Sequence, residues 1–202
     1  MVKKSANRVK ILLAAQEVFT RYGYGKCTMD DIAREMGKGK SSIYYYFTSK
    51  EDIFKAVVEK EILLMRTRIA DAVSRKTDPR EKLKAYVMER MHWVKNMKKL
   101  YTALLNELIT QPVFVEQIRK ETDQVEINIV TAILDQGVEA KIFHLEDTFL
   151  TAIAIVTALK GMEIPLLITG PESDNILEQR LDRLIDVLFY GIMKRESNCV
   201  SI

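Results

Sequence analysis

Cysteine, proline and glycine are all scarce in this chain, whose 202 residues include two cysteines, four prolines and eight glycines. Cys27 and Cys199 lie near opposite ends, which excludes a disulfide framework. Neither the cysteines nor the two histidines, His92 and His144, have the spacing of metal ligands. No apolar run approaches the ~18 residues that a membrane-spanning helix needs. We therefore expect a cytoplasmic protein with no metal site, no cofactor and no membrane partner.

Positive charge is concentrated in the first quarter of the chain. Residues 1–50 contain ten Lys and Arg against four acids, whereas the remainder contains 21 Lys and Arg against 24 acids. A basic segment on a mildly acidic body favours a polyanionic partner for that segment alone. A chance scatter of surface lysines is the alternative explanation of the charge by itself.

Prolines and glycines fall between long stretches of helical periodicity, and no pair of strands is indicated. The predicted fold class is all-α. We expect nine helices, at about residues 5–22, 28–36, 39–47, 49–74, 79–97, 98–109, 112–137, 145–163 and 174–195.

Hydroxyl and carboxylate side chains mark two of these helix starts. Thr28 is followed three residues later by Asp31, and Ser49 is followed three residues later by Asp52. This spacing is typical of a capping box, in which the two side chains bond free N–H groups at the start of a helix.

The segment GKGKSS, residues 37–42, has the composition of a phosphate-binding loop. A Walker-type loop that ends at Gly39-Lys40-Ser41 would need its first glycine at position 34, which is Arg34. A dinucleotide-binding loop would need a third glycine at position 42, which is Ser42. Both loops also follow a strand, whereas a predicted helix precedes this segment. Nucleotide binding is therefore excluded, and a helix-turn-helix arrangement remains.

The helix after this turn has one narrow apolar face. Ile43 and Phe47 are four residues apart and are expected to be buried, whereas Ser41, Ser42 and Tyr45 lie on the opposite side. Tyrosine suits the wall of a DNA groove, because its ring packs on sugar or a thymine methyl while its hydroxyl bonds a phosphate oxygen. A surface helix with half-packed tyrosines is the alternative.

The stretch from Thr28 to Phe54, TMDDIAREMGKGKSSIYYYFTSKEDIF, resembles the N-terminal signature of the TetR family of bacterial transcriptional regulators. The resemblance implies a helix-turn-helix DNA-binding domain over residues 1–48. It also implies a helical ligand-binding and dimerisation domain over residues 49–202. The chain departs from the usual pattern at Lys38, where an apolar residue is common, and at Gly39, where a serine usually caps the recognition helix. Without that serine we expect the helix to be less firmly capped.

By this resemblance, the partner is a double-stranded DNA operator with palindromic symmetry. The protein would act as a repressor and bind as a homodimer through the helices at about 145–163 and 174–195, both of which are unusually apolar. The predicted DNA-binding residues are Thr28, Lys38, Lys40, Ser41, Ser42, Tyr44, Tyr45, Tyr46 and Lys50.

Methionines and aromatic residues cluster where this family has its inducer pocket. Such side chains form an adaptable apolar lining, so we expect an unknown small-molecule inducer of lipophilic or aromatic character. The predicted ligand-binding residues are Met88, Met91, Trp93, Met97, Tyr101 and Phe114. At helical spacing the same residue types also make an ordinary hydrophobic core, which is the alternative for each of them.

Two other function classes are weighed against a DNA-binding regulator. An interaction module could use the basic segment on an acidic protein or a membrane, but a membrane face would need large apolar residues where Ser41, Ser42 and Tyr45 stand. An enzyme is disfavoured, because no Ser-His-Asp arrangement or pair of carboxylates with catalytic spacing is evident.

Overall fold

The computed structural model describes residues 2–97, 112–168 and 174–192, and within these ranges it contains eight helices and no strand. The helices are α1 (Val2–Tyr22), α2 (Met29–Glu35), α3 (Lys40–Tyr44), α4 (Lys50–Ser74), α5 (Pro79–Asn96), α6 (Pro112–Glu139), α7 (Thr148–Ile168) and α8 (Asp174–Ile192). The all-α prediction is confirmed. The helix predicted at about 98–109 lies outside the described residues, and no helix within them is long and apolar enough to cross a bilayer.

The chain forms two compact units. The first comprises Met1–Arg66 and Asn96–Arg119, and the second comprises Thr67–Lys95 and Lys120–Ile202. In the first unit, α1, α2 and α3 share a core with the N-terminal half of α4, whose Phe54 ring lies edge-on to Phe19 at 5.2 Å between centroids. The start of α4 is therefore part of the same packed body as the three helices before it. A functional domain boundary between residues 48 and 49 stays a prediction.

The two predicted capping patterns hold the starts of α2 and α4. The Thr28 hydroxyl accepts from the backbone N–H of Asp31 at 3.2 Å, and the Asp31 carboxylate accepts in return from the backbone N–H of Thr28 at 2.9 Å. At α4 the Ser49 hydroxyl accepts from the Asp52 backbone N–H at 3.1 Å. These bonds satisfy donors that have no partner within the helix, and they fix the points where both helices begin.

α3 is shorter than predicted. It runs over Lys40–Tyr44 instead of 39–47, and its N-cap Gly39 makes no side-chain capping bond. The backbone N–H groups of Tyr46 and Phe47 both donate to the carbonyl of Ile43, at 2.8 and 3.0 Å. The chain therefore tightens into a turn after Tyr44 and does not continue as a regular helix.

In the second unit, α6 does not end at Gly137 as predicted but continues to Glu139. A Cβ at Gly137 would lie 2.0 Å from the nearest ring atom of Phe143, which is buried in the segment after the helix. Because glycine has no side chain, the Phe143 ring can pack directly against the helix at Gly137. Two backbone N–H groups, those of Ile142 and Phe143, also donate to the Gly137 carbonyl at 2.8 and 3.0 Å.

Replacing Gly137 by alanine should lower the free energy of unfolding by about 1–3 kcal/mol, the usual cost of overpacking a core. Urea unfolding followed by circular dichroism measures this effect. Gly25→Ala is the control, because a Cβ at Gly25 would meet nothing within 4 Å. A Gly137→Ala protein as stable as the control would contradict the close packing of Phe143.

Candidate functional site

α3 presents one face to the core and the other to solvent. The Ile43 side chain is fully buried, with 0% exposed, and Phe47 is also buried. Tyr45 on the other side is 68% exposed, and Ser41 and Ser42 are exposed beside it. The predicted burial of Ile43 and Phe47 is thus confirmed. Two hydroxyls and a phenol stand on a helix that is fixed from behind, which is an arrangement suited to a polar groove.

The turn between α2 and α3 depends on Gly37, whose φ of 63° lies in the left-handed region. The backbone N–H groups of Gly37 and Lys38 donate to the carbonyls of Arg34 and Ala33, both at 3.0 Å. These bonds close α2 and turn the chain sharply. Lys38, which follows the turn, is exposed.

Tyr46 connects α3 to the beginning of α1. Its hydroxyl accepts a bond of 3.4 Å from the Asn7 amide, and its ring stands edge-on to Tyr45 with 4.9 Å between centroids. The Arg8 guanidinium lies 5.1 Å from the centroid of the Phe47 ring. Of the three adjacent tyrosines, Tyr46 is half-buried, whereas Tyr44 and Tyr45 are exposed.

Lys40, the first residue of α3, forms an ion pair with α2. Its Nζ lies 2.8 Å from Oδ2 of Asp30 and 5.9 Å from the centroid of the Tyr44 ring. The hydrogen bond to Asp30 raises the pKa of Lys40 above its usual value. Both side chains of the pair remain about half exposed, so a phosphate could reach the ammonium from solvent.

Thr28 is exposed at the start of α2, and its hydroxyl donates to the Asp31 carboxylate at 2.7 Å. Hydrogen bonds from the Thr28 side chain and backbone hold the pKa of Asp31 below its ordinary value. Thr28 therefore already forms the capping box of α2, next to the ion pair between Lys40 and Asp30.

Lys50 is tied into the fold more tightly than the other predicted lysines. Its ammonium donates to the backbone carbonyls of Tyr24 and Cys27 at 2.9 and 3.1 Å, and it lies 4.2 Å from the Tyr24 ring centroid. Both carbonyls belong to the segment between α1 and α2. Lys50 thus fastens that segment to the start of α4.

The predicted ligand-binding residues divide between the two compact units. Met91 and Trp93 are buried and Met88 is half-buried in the second unit, whereas Met97 belongs to the first, where its Sδ lies 4.0 Å from the Gln16 amide nitrogen of α1. Tyr101 lies outside the described residues, and so does the side chain of Phe114. Their predicted roles stay predictions.

A buried ionic cluster lies near Met91 and Trp93 in the chain. Arg90 of α5 is 3% exposed and pairs with two buried carboxylates, Glu126 of α6 and Glu163 of α7. The hydroxyl of Tyr86 donates to Glu126 at 2.7 Å. Burial alone would lower the pKa of Arg90, but the two carboxylates raise it above its usual value. One guanidinium therefore joins three helices of the second unit.

Trp93 follows Arg90 by three residues and is also buried, with 8% of its surface exposed. Among the residues that the structure describes, its indole Nε1 has no hydrogen-bond partner. An unpaired donor in a protein interior is costly, so a bound molecule with an acceptor atom would be stabilised there.

Sequence reasoning missed the ionic cluster, although the spacing contains a signal for it. Tyr86, Arg90 and Trp93 follow each other at intervals of four and three, which places a charged residue on the buried face of α5. Glu163 likewise continues the buried stripe of Val156 and Leu159 on α7. A charge within an apolar stripe indicates a buried ion pair, but it does not identify the partner.

Comparison with known proteins gives two family matches. Residues 11–57 match the model described as bacterial regulatory proteins of the tetR family, and residues 76–164 match a tetracyclin repressor-like C-terminal domain. The first match contains the turn and α3, and the second contains Arg90 and both of its carboxylate partners.

Individual relatives agree with these matches. The HTH-type transcriptional activator FasR of Mycolicibacterium smegmatis is 27% identical over 157 residues, which are 77% of this chain and 72% of that protein. The fatty acid metabolism regulator protein of Bacillus subtilis strain 168 is 25% identical over 140 residues, 69% of this chain and 72% of the relative. A crystal structure of a transcriptional regulator from Cytophaga hutchinsonii has a TM-score of 0.77 and 30% identity, and covers 91% of this chain and 97% of its own.

Replacing Lys50 by alanine should reduce the free energy of unfolding by about 1–3 kcal/mol, because two carbonyls would lose their charged donor. Lys55→Ala, an exposed change on the same helix, should stay within about 0.5 kcal/mol of the wild type. Thermal or urea unfolding measures both values. Wild-type stability of Lys50→Ala, together with a flatter salt dependence of DNA binding, would instead identify Lys50 as a phosphate contact.

Proposed function

This chain belongs to the tetR family of bacterial transcriptional regulators, and we propose that it is a repressor which binds a palindromic operator as a homodimer and is released by a small lipophilic ligand. The observation on which this proposal chiefly depends is the exposed face of α3, with Ser41, Ser42 and Tyr45 opposite the buried Ile43. Regulators of this family bind DNA, so this face is the natural candidate for contact with base edges.

We assign the predicted DNA-binding residues to three roles. Ser41, Ser42 and Tyr45 face the bases, and Tyr44 lies at the edge of the same face. Lys38 and Lys40 bond phosphates, which supplies affinity for any sequence. Thr28, Tyr46 and Lys50 hold the interface in shape through the bonds described above.

The proposed dimer uses the exposed sides of α7 and α8. The exposed side of α7 combines two large apolar residues with small residues and, as far as the structure describes it, carries no charge. Its exposed positions, among those described, are Phe149, Leu150, Ala154, Thr157, Ala158 and Gly161. On α8, Ile176 and Val187 are exposed on a face that also carries Arg180 and Arg183, whereas Leu181 and Ile185 fill the buried side. The uncharged exposed face of α7 therefore supplies the apolar part of the proposed interface and favours association with a second copy.

The proposed ligand lies in the second unit, near Met91 and Trp93. The buried methionine and tryptophan supply apolar contacts, and the indole N–H, which has no partner among the described residues, supplies one polar contact. The name of the Bacillus subtilis relative, a fatty acid metabolism regulator, supports a fatty acyl compound as the ligand class.

Two helices offer a route from ligand to DNA. α4 passes from the first compact unit to the second at Arg66–Thr67, and α5 passes back at Lys95–Asn96. A ligand that binds more tightly when α5 occupies one of two placements would shift the whole protein population toward that placement. The separation of the two recognition helices in the dimer, about 34 Å for adjacent turns of DNA, would change as a result.

The operator is identified by selecting genomic fragments with the purified protein. We expect two inverted half-sites one DNA turn apart. Tyr45→Ala should then weaken binding to this operator by a factor of about five or more, from the roughly 1–3 kcal/mol of a good base contact, and should affect random DNA much less. Tyr22→Ala, which alters an exposed tyrosine at the end of α1, is the control. Equal losses on operator and random DNA would reassign Tyr45 to the phosphate backbone, and an absence of selected fragments would contradict the proposed function.

Ligand binding can be followed by fluorescence, because Trp93 is the single tryptophan of the chain. Adding a long-chain fatty acid or its coenzyme A thioester should change the Trp93 emission and release the operator over the same concentration range. Free coenzyme A and a short-chain acid are the controls. Unchanged emission and an intact operator complex with every acyl compound would contradict the proposed ligand class.

A further inference from the structure

The ion pair between Asp30 and Lys40 crosses the helix-turn-helix motif. Asp30 lies in the first turn of α2, Lys40 begins α3, and the carboxylate and ammonium are 2.8 Å apart. Among the residues described, Lys38 has no carboxylate within ion-pair distance. The two lysines that flank Gly39 therefore differ: one is paired within the protein, and the other is open to a phosphate.

The Asp30 carboxylate makes no other hydrogen bond or ion pair in the described part of the chain, although its charge in the first turn of α2 also favours the helix. The capping box of α2 uses the carboxylate of Asp31, which also pairs with Arg34 at 3.4 Å. Glu35 at the other end of α2 pairs with Arg21 of α1 at 3.1 Å. Removing the charge of Asp30 should therefore leave the capping box of α2 intact while it frees Lys40.

We infer that Asp30 controls when Lys40 contacts DNA: it keeps Lys40 away from the phosphates of random DNA and releases it only on the operator. This inference rests on the proposed operator binding. On random DNA, a phosphate that no base contact holds in place must compete with the Asp30 carboxylate for Lys40. The negative charge of Asp30 also repels that phosphate. On the operator, the base contacts of α3 fix one phosphate close to Lys40, and the ion pair is exchanged for a phosphate contact.

Such an exchange lowers the affinity for both kinds of DNA but changes their salt dependence differently. An exposed ion pair changes an equilibrium by a factor of about two to five. Operator binding loses this contribution when the pair opens, whereas binding to random DNA forgoes the phosphate contact of Lys40. Only the operator complex therefore counts Lys40 among its phosphate contacts, which makes operator binding more sensitive to salt.

The test uses Asp30→Asn and measures binding to the selected operator and to a random duplex over a range of salt concentrations. Each phosphate neutralised contributes about 0.9 to the slope of log K against log salt. We expect Asp30→Asn to bind random DNA about two- to five-fold more tightly, with a slope steeper by about 0.9. On the operator, the slope should be unchanged. Glu17→Gln is the matched control, because it removes one exposed negative charge from the same compact unit, and no described residue forms an ion pair with Glu17.

Lys40→Ala and the double variant complete the experiment. In the Lys40→Ala background, Asp30→Asn should no longer tighten binding to random DNA. An increase that persists there, or one that Glu17→Gln reproduces, would mean a general effect of charge and would overturn the inference. The inference alone fails if Lys40→Ala flattens the operator slope while Asp30→Asn leaves the random-DNA slope unchanged. An operator slope that Lys40→Ala does not alter would remove Lys40 from the proposed interface as well.

Discussion

The burial of two side chains, Ile43 and Phe47, is the constraint on which the proposed DNA-binding face depends. A helix of five residues is far too short to be stable alone, because the first hydrogen-bonded turn costs more conformational entropy than it returns. The core of the first unit supplies the missing free energy by enclosing Ile43 completely. Since the remaining side chains of so short a helix cannot turn inward as well, Ser41, Ser42 and Tyr45 are left on the surface in fixed positions. The Asn7–Tyr46 bond and the Arg8–Phe47 contact secure the far end of the same segment.

Local chemistry made much of the fold predictable. Helix starts at Thr28 and Ser49 follow from side chains that bond the nearest free N–H groups, which is an interaction over three residues. The two faces of α3 follow from the spacing of Ile43 and Phe47 alone. The ends of the helices were harder to predict from the sequence. α3 closes early because two N–H groups share the Ile43 carbonyl, and α6 continues past Gly137 because that glycine accommodates Phe143. Neither cause is visible in the residues next to the boundary.

The parts of the candidate site that escaped prediction all depend on partners distant in the chain. Lys50 has the charge of a phosphate contact, but the carbonyls of Tyr24 and Cys27 occupy it once the helices have packed. Arg90 finds its two carboxylates on α6 and α7, and periodicity shows only that it faces inward. The pairing of Lys40 with Asp30 likewise arises from the angle between two helices. Charge composition therefore points to the same first quarter of the chain that the family match over residues 11–57 covers, whereas the different partners of its lysines required the folded structure.

The exposed tyrosines of α3 can be tested against the operator directly. The eight tyrosines of the chain can be labelled with fluorine and their resonances assigned through single Tyr→Phe variants. Titration with the selected operator should move the signals of Tyr44 and Tyr45, and leave the signal of Tyr86, which is buried in the second unit, where it was. A Tyr45 signal that does not move when every protein molecule is bound to operator would contradict the assignment of α3 as the recognition helix.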